Sequence, residues 1–342
     1  MKKKNSIPLF LFCLLMAGLF SGCGQNKGQI SSSGFYFNTM ITVTINDASK
    51  ENLLKDCFAL AEKYENYFSN TISDSDISKI NAAAGKPVEV HDETIELLQK
   101  GIYYGDLSNG KFDITIGKLS DLWDFSTKAL LEETNDSMIP SDSDIKAALA
   151  TVDYHCVQIN GKEVSLTNPD ARIDLGGIAK GYIADRMKEY LNENSVTDGY
   201  INLGGNVLAL GGKSDGSPYT IGIQKPFSED NSVIASVKIT DETVVSSGVY
   251  ERCFTVDDIL YHHILDTSTG YPYDNGLLGV TIITKESVDG DGLSTTCFAL
   301  GLDDGMALVE SLPDTEAIFI TEDYKLHTSS GIGSKIPFEE LK

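Results

Sequence analysis

The sequence is poor in cysteine, in tryptophan and in basic side chains. Of 342 residues, six are cysteine and one is tryptophan, and 27 lysines and arginines stand against 50 aspartates and glutamates. No two cysteines have the CxxC spacing and no histidine cluster lies near them, which argues against a zinc site. The acidic excess argues against nucleic acid as a partner, because general electrostatic attraction to phosphates is missing.

Long hydrophobic runs are absent except at the N-terminus. Lys2, Lys3 and Lys4 precede an apolar run from Ile7 to Phe20. This run is short for a membrane-spanning helix, but its length and positive flank suit a signal-peptide core. The sequence therefore predicts export, with residues 1–22 as the signal peptide. Removal of the three leader lysines changes the net charge from −23 to −26.

A cysteine follows this leader directly. Leu19-Phe20-Ser21-Gly22-Cys23 resembles the lipobox of bacterial lipoproteins, in which the cysteine is lipidated and becomes the new N-terminus. The resemblance implies lipidation at Cys23 and a place at the extracytoplasmic face of the cell membrane. The alternative is an ordinary signal peptide in which Cys23 has no role. Residues 23–33 are then predicted to form a lipidated N-terminus and flexible tether, and residues 34–342 one catalytic unit.

The remaining cysteines are Cys57, Cys156, Cys253 and Cys297. Cys57 and Cys297 lie in apolar helical patterns, which predicts that they fill core space. Their spacing proposes no disulfide, although an exported chain permits one.

The periodicity of the mature chain predicts strands in runs rather than in regular alternation with helices. This order favours an α+β fold with mixed or antiparallel sheets flanked by helices. The polar segment 127–144 is predicted to be a surface loop. Helices are predicted at 52–68, 91–107, 144–151, 178–191, 289–300 and 305–312, and strands at 35–45, 157–159, 164–166, 200–210, 219–223, 232–239, 243–246, 263–265, 278–283 and 317–321.

The densest chemical signal is the segment from Arg172 to Tyr182. A strand delivers Asp174 to two glycines, Gly176 and Gly177, which release the chain into a helix. Glycine permits close approach of the backbone to a ligand, and a helix N-terminus suits phosphate. Lys180 lies in the first turn and can meet the same anion. Alone, the segment is equally compatible with a structural strand–turn–helix.

Four further segments carry polar groups at strand ends or a helix start. A second glycine turn lies within 201–207, and hydroxyls and an arginine lie within 246–252. His263 stands three residues before Asp266, and histidine is the side chain best suited to proton transfer near neutral pH. Asp291 and Thr295 are four residues apart on one predicted helix face, where both can offer oxygen to a hard cation. A simple helix cap is the alternative for this pair.

Together these segments resemble the ApbE family of FAD:protein FMN transferases. The resemblance runs from about Phe37 to the last predicted strand, with the blocks in the family's order. These blocks are Phe112 to Leu119 with Leu122-Trp123, Asp174 to Gly181, Asn202 to Gly205, Ser247-Gly248 with Glu251-Arg252, His263 to Gly270, and Asp291 to Thr295.

The resemblance implies the roles of individual residues. It makes His263, Asp291 and Lys180 the catalytic candidates. It implies that Mg²⁺ is the cofactor. The implied metal site consists of Gly177, Asp291, Ser294 and Thr295. The implied contacts to FAD, the substrate, come from Phe37, Thr71, Lys111, Phe112, Asp113, Asp174, Lys180 and Ile264.

The activity that the resemblance implies is transfer of FMN from FAD to a threonine or serine of an extracytoplasmic redox protein, with release of AMP. Two alternatives stay open at this point. Water in place of the acceptor would make the same site an FAD pyrophosphatase that gives FMN and AMP. A non-catalytic flavin- or metal-binding lipoprotein is the other.

The chain departs from the family's pattern at three places. Phe37-Asn38 stands where many members have methionine and glycine, and Thr71 stands where many have an aromatic residue. The adenine end of the FAD pocket is therefore expected to pack differently. In the Asp266 to Gly270 turn the usual proline is missing, and with it the restriction that proline places on the backbone.

Overall fold

The computed structural model describes residues 28–131, 133–228, 230 and 232–341. The predicted signal peptide and the predicted lipidation site Cys23 lie outside the described residues. Within them, no helix is both long and apolar enough to cross a membrane.

The described residues form nine α-helices. These are α1 (Glu51–Phe68), α2 (Asp76–Ala82), α3 (Asp92–Leu107), α4 (Gly117–Trp123), α5 (Phe125–Lys128), α6 (Asp142–Leu149), α7 (Ala179–Glu193), α8 (Ser287–Leu300) and α9 (Leu302–Ser311).

They also form sixteen strands. These are β1 (Ile30–Tyr36), β2 (Thr39–Ile45), β3 (Val88–Glu89), β4 (Val157–Asn160), β5 (Glu163–Leu166), β6 (Gly199–Leu203), β7 (Asn206–Leu210), β8 (Tyr219–Gln224), β9 (Val233–Ile239), β10 (Thr243–Gly248), β11 (Cys253–Val256), β12 (Ile259–His262), β13 (Leu277–Thr284), β14 (Glu316–Thr321), β15 (Leu326–Thr328) and β16 (Phe338–Glu340).

An eight-stranded sheet in the order β1-β2-β6-β7-β10-β13-β14-β15 is the centre of the fold. Its strands pair antiparallel throughout. Every residue of β13 is buried, so both faces of the sheet are covered there. Helices α7 and α8 contact each other, and α8 packs across β10 and β13. The predicted α+β class with antiparallel sheets and flanking helices is confirmed.

Two predicted long strands are hairpins. The segment 35–45 is divided between β1 and β2, because Phe37 and Asn38 turn the chain at φ of 52° and 55°. The segment 200–210 is divided between β6 and β7 by Gly204 and Gly205, at φ of 59° and 95°. Positive φ at both central residues gives the tight turn that suits the twist of paired strands.

The predicted tether is wrong over its last residues, because β1 begins at Ile30. The serines that suggested a flexible segment pair with threonines of β2. The Thr44 hydroxyl donates to Ser31 Oγ at 2.9 Å, and Ser33 Oγ lies 2.8 Å from Thr42 Oγ1. Hydroxyl pairs of this kind stabilise neighbouring strands. A serine-rich composition is therefore compatible with an edge strand as well as with a flexible linker.

Two other predictions need correction. The strand predicted at 263–265 lies earlier, since β12 ends at His262 and His263 N donates to Arg252 O at 3.1 Å across the small β11–β12 hairpin. The polar segment 127–144 is not one loop, because α6 begins at Asp142. Ser141 caps this helix by accepting from Asp144 N at 3.2 Å.

Candidate active site

The Asp291 carboxylate lies where α7, α8 and β7 meet. Its side chain is only 3% exposed. Oδ2 accepts from Gly181 N in the first turn of α7 at 2.6 Å, and Oδ1 accepts from Asn206 Nδ2 at 3.1 Å. Lys180 Nζ lies 4.0 Å from Oδ1. Two of the predicted catalytic residues, Asp291 of α8 and Lys180 of α7, are thus brought together from helices that are distant in sequence.

A glycine is required where α7 crosses α8. A Cβ on Gly181 would lie 2.2 Å from Ser287 O and 2.6 Å from Val288 Cα, both backbone atoms that cannot move aside cheaply. Asp185, one turn later, accepts from Ser287 N and Val288 N at 2.7 and 2.8 Å. These contacts fix the start of α8, four residues before Asp291.

We expect Gly181→Ala to lower the free energy of unfolding by about 2–3 kcal/mol, the upper range for overpacking a filled interior. Chemical denaturation measures this. Gly279→Ala is the control, because a Cβ there would meet its nearest neighbour at 3.5 Å, an ordinary contact. Equal stability of the two variants would show that the α7–α8 crossing can widen.

Three hydroxyls form a cluster next to the Asp291 backbone on α8. Ser294 Oγ donates to Asp291 O at 3.0 Å, and Ser247 Oγ lies 2.8 Å from Ser294 Oγ and 3.3 Å from Thr295 Oγ1. Gly177 faces the same cluster, since a Cβ there would lie 4.0 Å from Thr295 Oγ1. The four predicted metal-site residues are therefore neighbours.

The donor set fits a hard cation. Among the described residues, no group of three or more His, Cys, Asp or Glu side chains is placed to hold a metal. The predicted set has one carboxylate, hydroxyls and backbone oxygens. Each Asp291 oxygen has two lone pairs and uses one of them on an N–H donor. Mg²⁺ suits such a sparse site, because it keeps several waters and takes oxygens from substrate phosphates.

The Asp174 side chain stabilises the glycine turn that follows it. Asp174 Oδ1 accepts from Gly176 N at 2.8 Å, and Asp174 N donates to Ile114 O at 2.8 Å. One oxygen of the predicted FAD-reading carboxylate is thus engaged in its own turn. Contact of Asp174 with FAD stays a prediction.

The predicted FAD segment 111–113 lies against the same turn. A Cβ on Gly177 would lie 3.1 Å from Phe112 Cε2. Asp113 is buried, and its oxygens accept from Thr115 N, Thr115 Oγ1 and Tyr154 N at 2.6 to 2.9 Å. The Asp113 side chain therefore holds the loop, and burial raises its pKa. Lys111 is exposed and extends toward Ala299 O, 3.4 Å from Nζ.

Phe37 and Thr71, two further predicted FAD contacts, lie on other segments of the chain. Phe37 N donates to Glu65 Oε1 at 2.7 Å, which holds the β1–β2 turn. Thr39, two residues after Phe37, packs against the second glycine turn. A Cβ on Gly204 would lie 2.0 Å from Thr39 Oγ1. Thr71 is exposed and lies 3.0 Å from Ser69 Oγ, without a contact to another predicted site residue in the described part of the chain.

His263 differs sharply from its neighbour His262. The Nδ1 atom of His263 is buried and has no hydrogen-bond partner among the described residues. Burial, together with the charges of Arg252 and Lys180, lowers the pKa of His263 to about 3. His262 Nε2 lies 2.9 Å from Tyr273 O, and its Nδ1 accepts from Ile264 N at 3.3 Å. The predicted contact residue Ile264 is buried and is tied to His262 through this bond.

Sequence reasoning missed the role of Asn206. It identified the preceding glycine turn, but Asn202 serves that turn, with Oδ1 accepting from Gly205 N at 3.3 Å. Asn206 is the residue that contacts Asp291. Its position directly after the two glycines was the only signal. Ser247 and Glu251 also reach the site, and Glu251 Oε1 would lie 4.0 Å from a Cβ on Gly205.

The turn that lacks the usual proline is closed by hydrogen bonds. Asp266 Oδ1 accepts from Ser268 N and Ser268 Oγ, both at 2.7 Å. Thr267, at the proline position, donates from Oγ1 to Gly110 O at 2.7 Å. Trp123 Nε1 donates to Gly270 O at 2.8 Å. The turn is therefore tied to the two segments on either side of the Asp113 loop.

A cavity of about 700 Å³ lies on the other side of α8, between α3 and α7. Asp289 and Leu293 line it, whereas Asp291 and Thr295 do not. Two residues correspond to about 200° of helix rotation, which separates these two faces. The Asp289 Oδ1 atom already accepts from Lys100 Nζ and Tyr104 Oη, both at 2.6 Å. We assign no ligand to this cavity.

The chain is similar to known proteins over most of its length. Residues 37–319 match the ApbE family. An FAD:protein FMN transferase of Klebsiella pneumoniae is 38% identical over 283 residues, which cover 82% of this chain and 85% of that protein. One from Treponema pallidum is 30% identical over 299 residues, 83% of this chain and 81% of that protein.

Two solved structures have a fold similar to that of this chain. The ApbE protein of Thermotoga maritima has a TM-score of 0.78 at 30% identity, and the flavin transferase ApbE of Vibrio cholerae 0.76 at 28%. Each alignment covers 88% of this chain and 97% of the other. The match over most of the sequence and the shared fold lead to one conclusion: the chain belongs to the ApbE family.

Proposed function

We propose that the chain transfers FMN from FAD to a threonine or serine hydroxyl of another extracytoplasmic protein, with Mg²⁺ as cofactor and AMP as the second product. The observation that carries this proposal is the convergence of Asp291, Lys180 and the Thr295 hydroxyl at the start of α7. The names of the relatives, FAD:protein FMN transferases, support the reaction.

The residues that would hold Mg²⁺ are Asp291, Thr295 and the backbone near Gly177, with Ser294 beside them. When bound, the ion supplies neutralisation of negative charge on the pyrophosphate oxygens. Lys180 contributes a second positive charge at the same place. Gly181 N and Asn206 keep the Asp291 carboxylate in one orientation.

The transfer replaces the phosphoanhydride bond between the two halves of FAD with a phosphoester bond to the acceptor. The acceptor oxygen forms a bond to the phosphorus of the FMN half of FAD, and the bond from that phosphorus to the AMP oxygen breaks. AMP leaves with the bonding electrons, and the hydroxyl proton passes to a base. His263 is the candidate base, because its neutral ring has a buried Nδ1 without a protein partner in the described residues.

The cellular setting belongs to the same proposal. A lipid at Cys23 would hold the enzyme at the extracytoplasmic face of the cell membrane. Its partners there would be flavin-accepting redox proteins. A covalent phosphoester keeps their flavin from diffusing away outside the cell.

The test is an incubation of the purified chain with FAD, MgCl₂ and the extracytoplasmic proteins of the producing bacterium, taken from a strain that lacks this gene. We expect a fluorescent flavin band that survives a denaturing gel. Mass spectrometry should place FMN on a threonine or serine, with one AMP released per modification. Lipidation is read separately from the mass of the N-terminal peptide.

Two other outcomes would replace the proposal. Release of FMN and AMP in equal amounts, with all proteins unmodified, would identify an FAD pyrophosphatase. Binding of FAD without release of AMP, under conditions in which a relative modifies its acceptor, would identify a flavin-binding lipoprotein.

A further inference from the structure

Asn206 is buried at the base of the candidate metal site. Its side chain is 1% exposed, and it begins β7 immediately after the glycine turn. Nδ2 donates to Asp291 Oδ1 at 3.1 Å, and Oδ1 accepts from Ser287 Oγ at 2.7 Å. Both ends of the amide are therefore engaged, one on the candidate ligand and one on the first residue of the same helix.

The Asp291 carboxylate fixes which way the amide points. A carboxylate oxygen only accepts hydrogen bonds, so the donor end of the amide faces Asp291 and the acceptor end faces the Ser287 hydroxyl. Ser287 Oγ also lies 3.2 Å from Thr243 Oγ1 of β10. The sheet, through β7 and β10, thus sets the orientation of a side chain that belongs to α8.

The hydrogen bond from Asn206 Nδ2 restrains the Asp291 carboxylate. With Gly181 N on Oδ2 and Asn206 on Oδ1, rotation of the carboxylate about its last bond would break both hydrogen bonds. One lone pair on each oxygen remains available for a cation. A partner that orients a metal ligand in this way typically contributes a factor of about 10 to 100 in metal affinity.

We propose that Asn206 is a positioning residue for Mg²⁺, which acts by holding the Asp291 carboxylate in its metal-binding orientation. The inference rests on the proposed function, because it takes Asp291 as a magnesium ligand. It adds a residue from a different element, whose contribution is to affinity for the ion rather than to the reaction itself.

The test measures Mg²⁺ binding to the FAD-free protein by calorimetry. We expect Asn206→Ala to weaken binding about 10- to 100-fold. In the transfer assay the Mg²⁺ concentration for half-maximal rate should rise by a similar factor, while kcat at saturating Mg²⁺ is largely restored. A purely structural role would lower stability and kcat without moving this concentration.

Asn46→Ala is the matched control. Asn46 Nδ2 also donates to an aspartate, Asp198, but outside the site. This variant should keep wild-type Mg²⁺ affinity. If Asn206→Ala does not fold, Asn206→Ser replaces it, since serine keeps a small polar side chain and removes the amide donor to Asp291.

The outcomes separate the inference from the proposed function. Wild-type protein that binds no Mg²⁺, either alone or together with FAD, would remove the proposed metal site. Wild-type binding together with unchanged affinity in a folded Asn206 variant would overturn the positioning role alone. A loss of affinity in Asn206→Ala that Asn46→Ala does not share supports the inference.

Discussion

We expect the Asp291→Asn variant to transfer FMN on the order of 10³-fold more slowly than the wild type, because a metal supplies several kcal/mol of charge stabilisation and about 1.4 kcal/mol corresponds to a factor of ten. The substitution keeps the shape of the side chain and removes its charge. Gly181 N can still donate to the remaining oxygen, so the fold should persist. The measurement is the rate of flavin incorporation at saturating FAD.

Asp289→Asn is the matched control. Asp289 lies two residues earlier on α8 and pairs with Lys100 and Tyr104 on the opposite face. Its transfer rate should stay within about threefold of wild type, since partly exposed ion pairs contribute about 1 kcal/mol or less. Thermal unfolding of both variants checks the fold. Full activity in Asp291→Asn would show that this carboxylate does not hold the ion.

Local patterns were sufficient for most elements. The helix predicted at 52–68 corresponds to α1 (Glu51–Phe68), because its apolar residues recur at the helical period and face the core. The β1–β2 turn was missed for a physical reason. Positive φ is rare for phenylalanine, and Phe37 adopts it where its N–H is held by Glu65, a contact to another element.

The same distinction between local patterns and contacts to other elements applies to the site residues. The motifs identified Asp291, Thr295 and Lys180, whose spacing within one helix turn or one segment is visible in the sequence. The contact from Asn206 to Asp291 spans 85 residues, and no local spacing encodes it. The Asp113 carboxylate holds its own loop through hydrogen bonds that local spacing did not predict, and its contact with FAD stays a prediction.

His263 gives the second large effect. We expect His263→Gln to lower the transfer rate by a factor of about 10² to 10⁴, the usual contribution of a positioned base. Its two neighbouring cations, Arg252 and Lys180, disfavour a charged ring, and burial lowers the pKa of His263 to about 3. The ring is therefore neutral in the free enzyme near neutral pH.

A base with so low a pKa needs help from the substrate. The pyrophosphate of FAD would pair with Lys180 and offset its charge, which is one of the charges that lower the pKa of His263, so this pKa should rise when FAD binds. The pH dependence of kcat/KM reports the free enzyme, and that of kcat reports the complex. We therefore expect kcat to fall as the pH is lowered and His263 becomes protonated in the complex. The titration of His263 should leave kcat/KM unchanged between pH 5 and 8.

His262→Gln is the control that separates chemistry from structure. Both ring nitrogens of His262 contact backbone groups, so its loss should cost stability, about 1–3 kcal/mol for buried partners left unpaired. The acid limb of kcat should persist in this variant and vanish in His263→Gln. A fall in kcat/KM as the pH rises through about 6.5, if it depends on His263, would mean that the charged ring is the active form in the free enzyme. In that case His263 would bind the pyrophosphate as a cation, and the base would have to be sought elsewhere in the site.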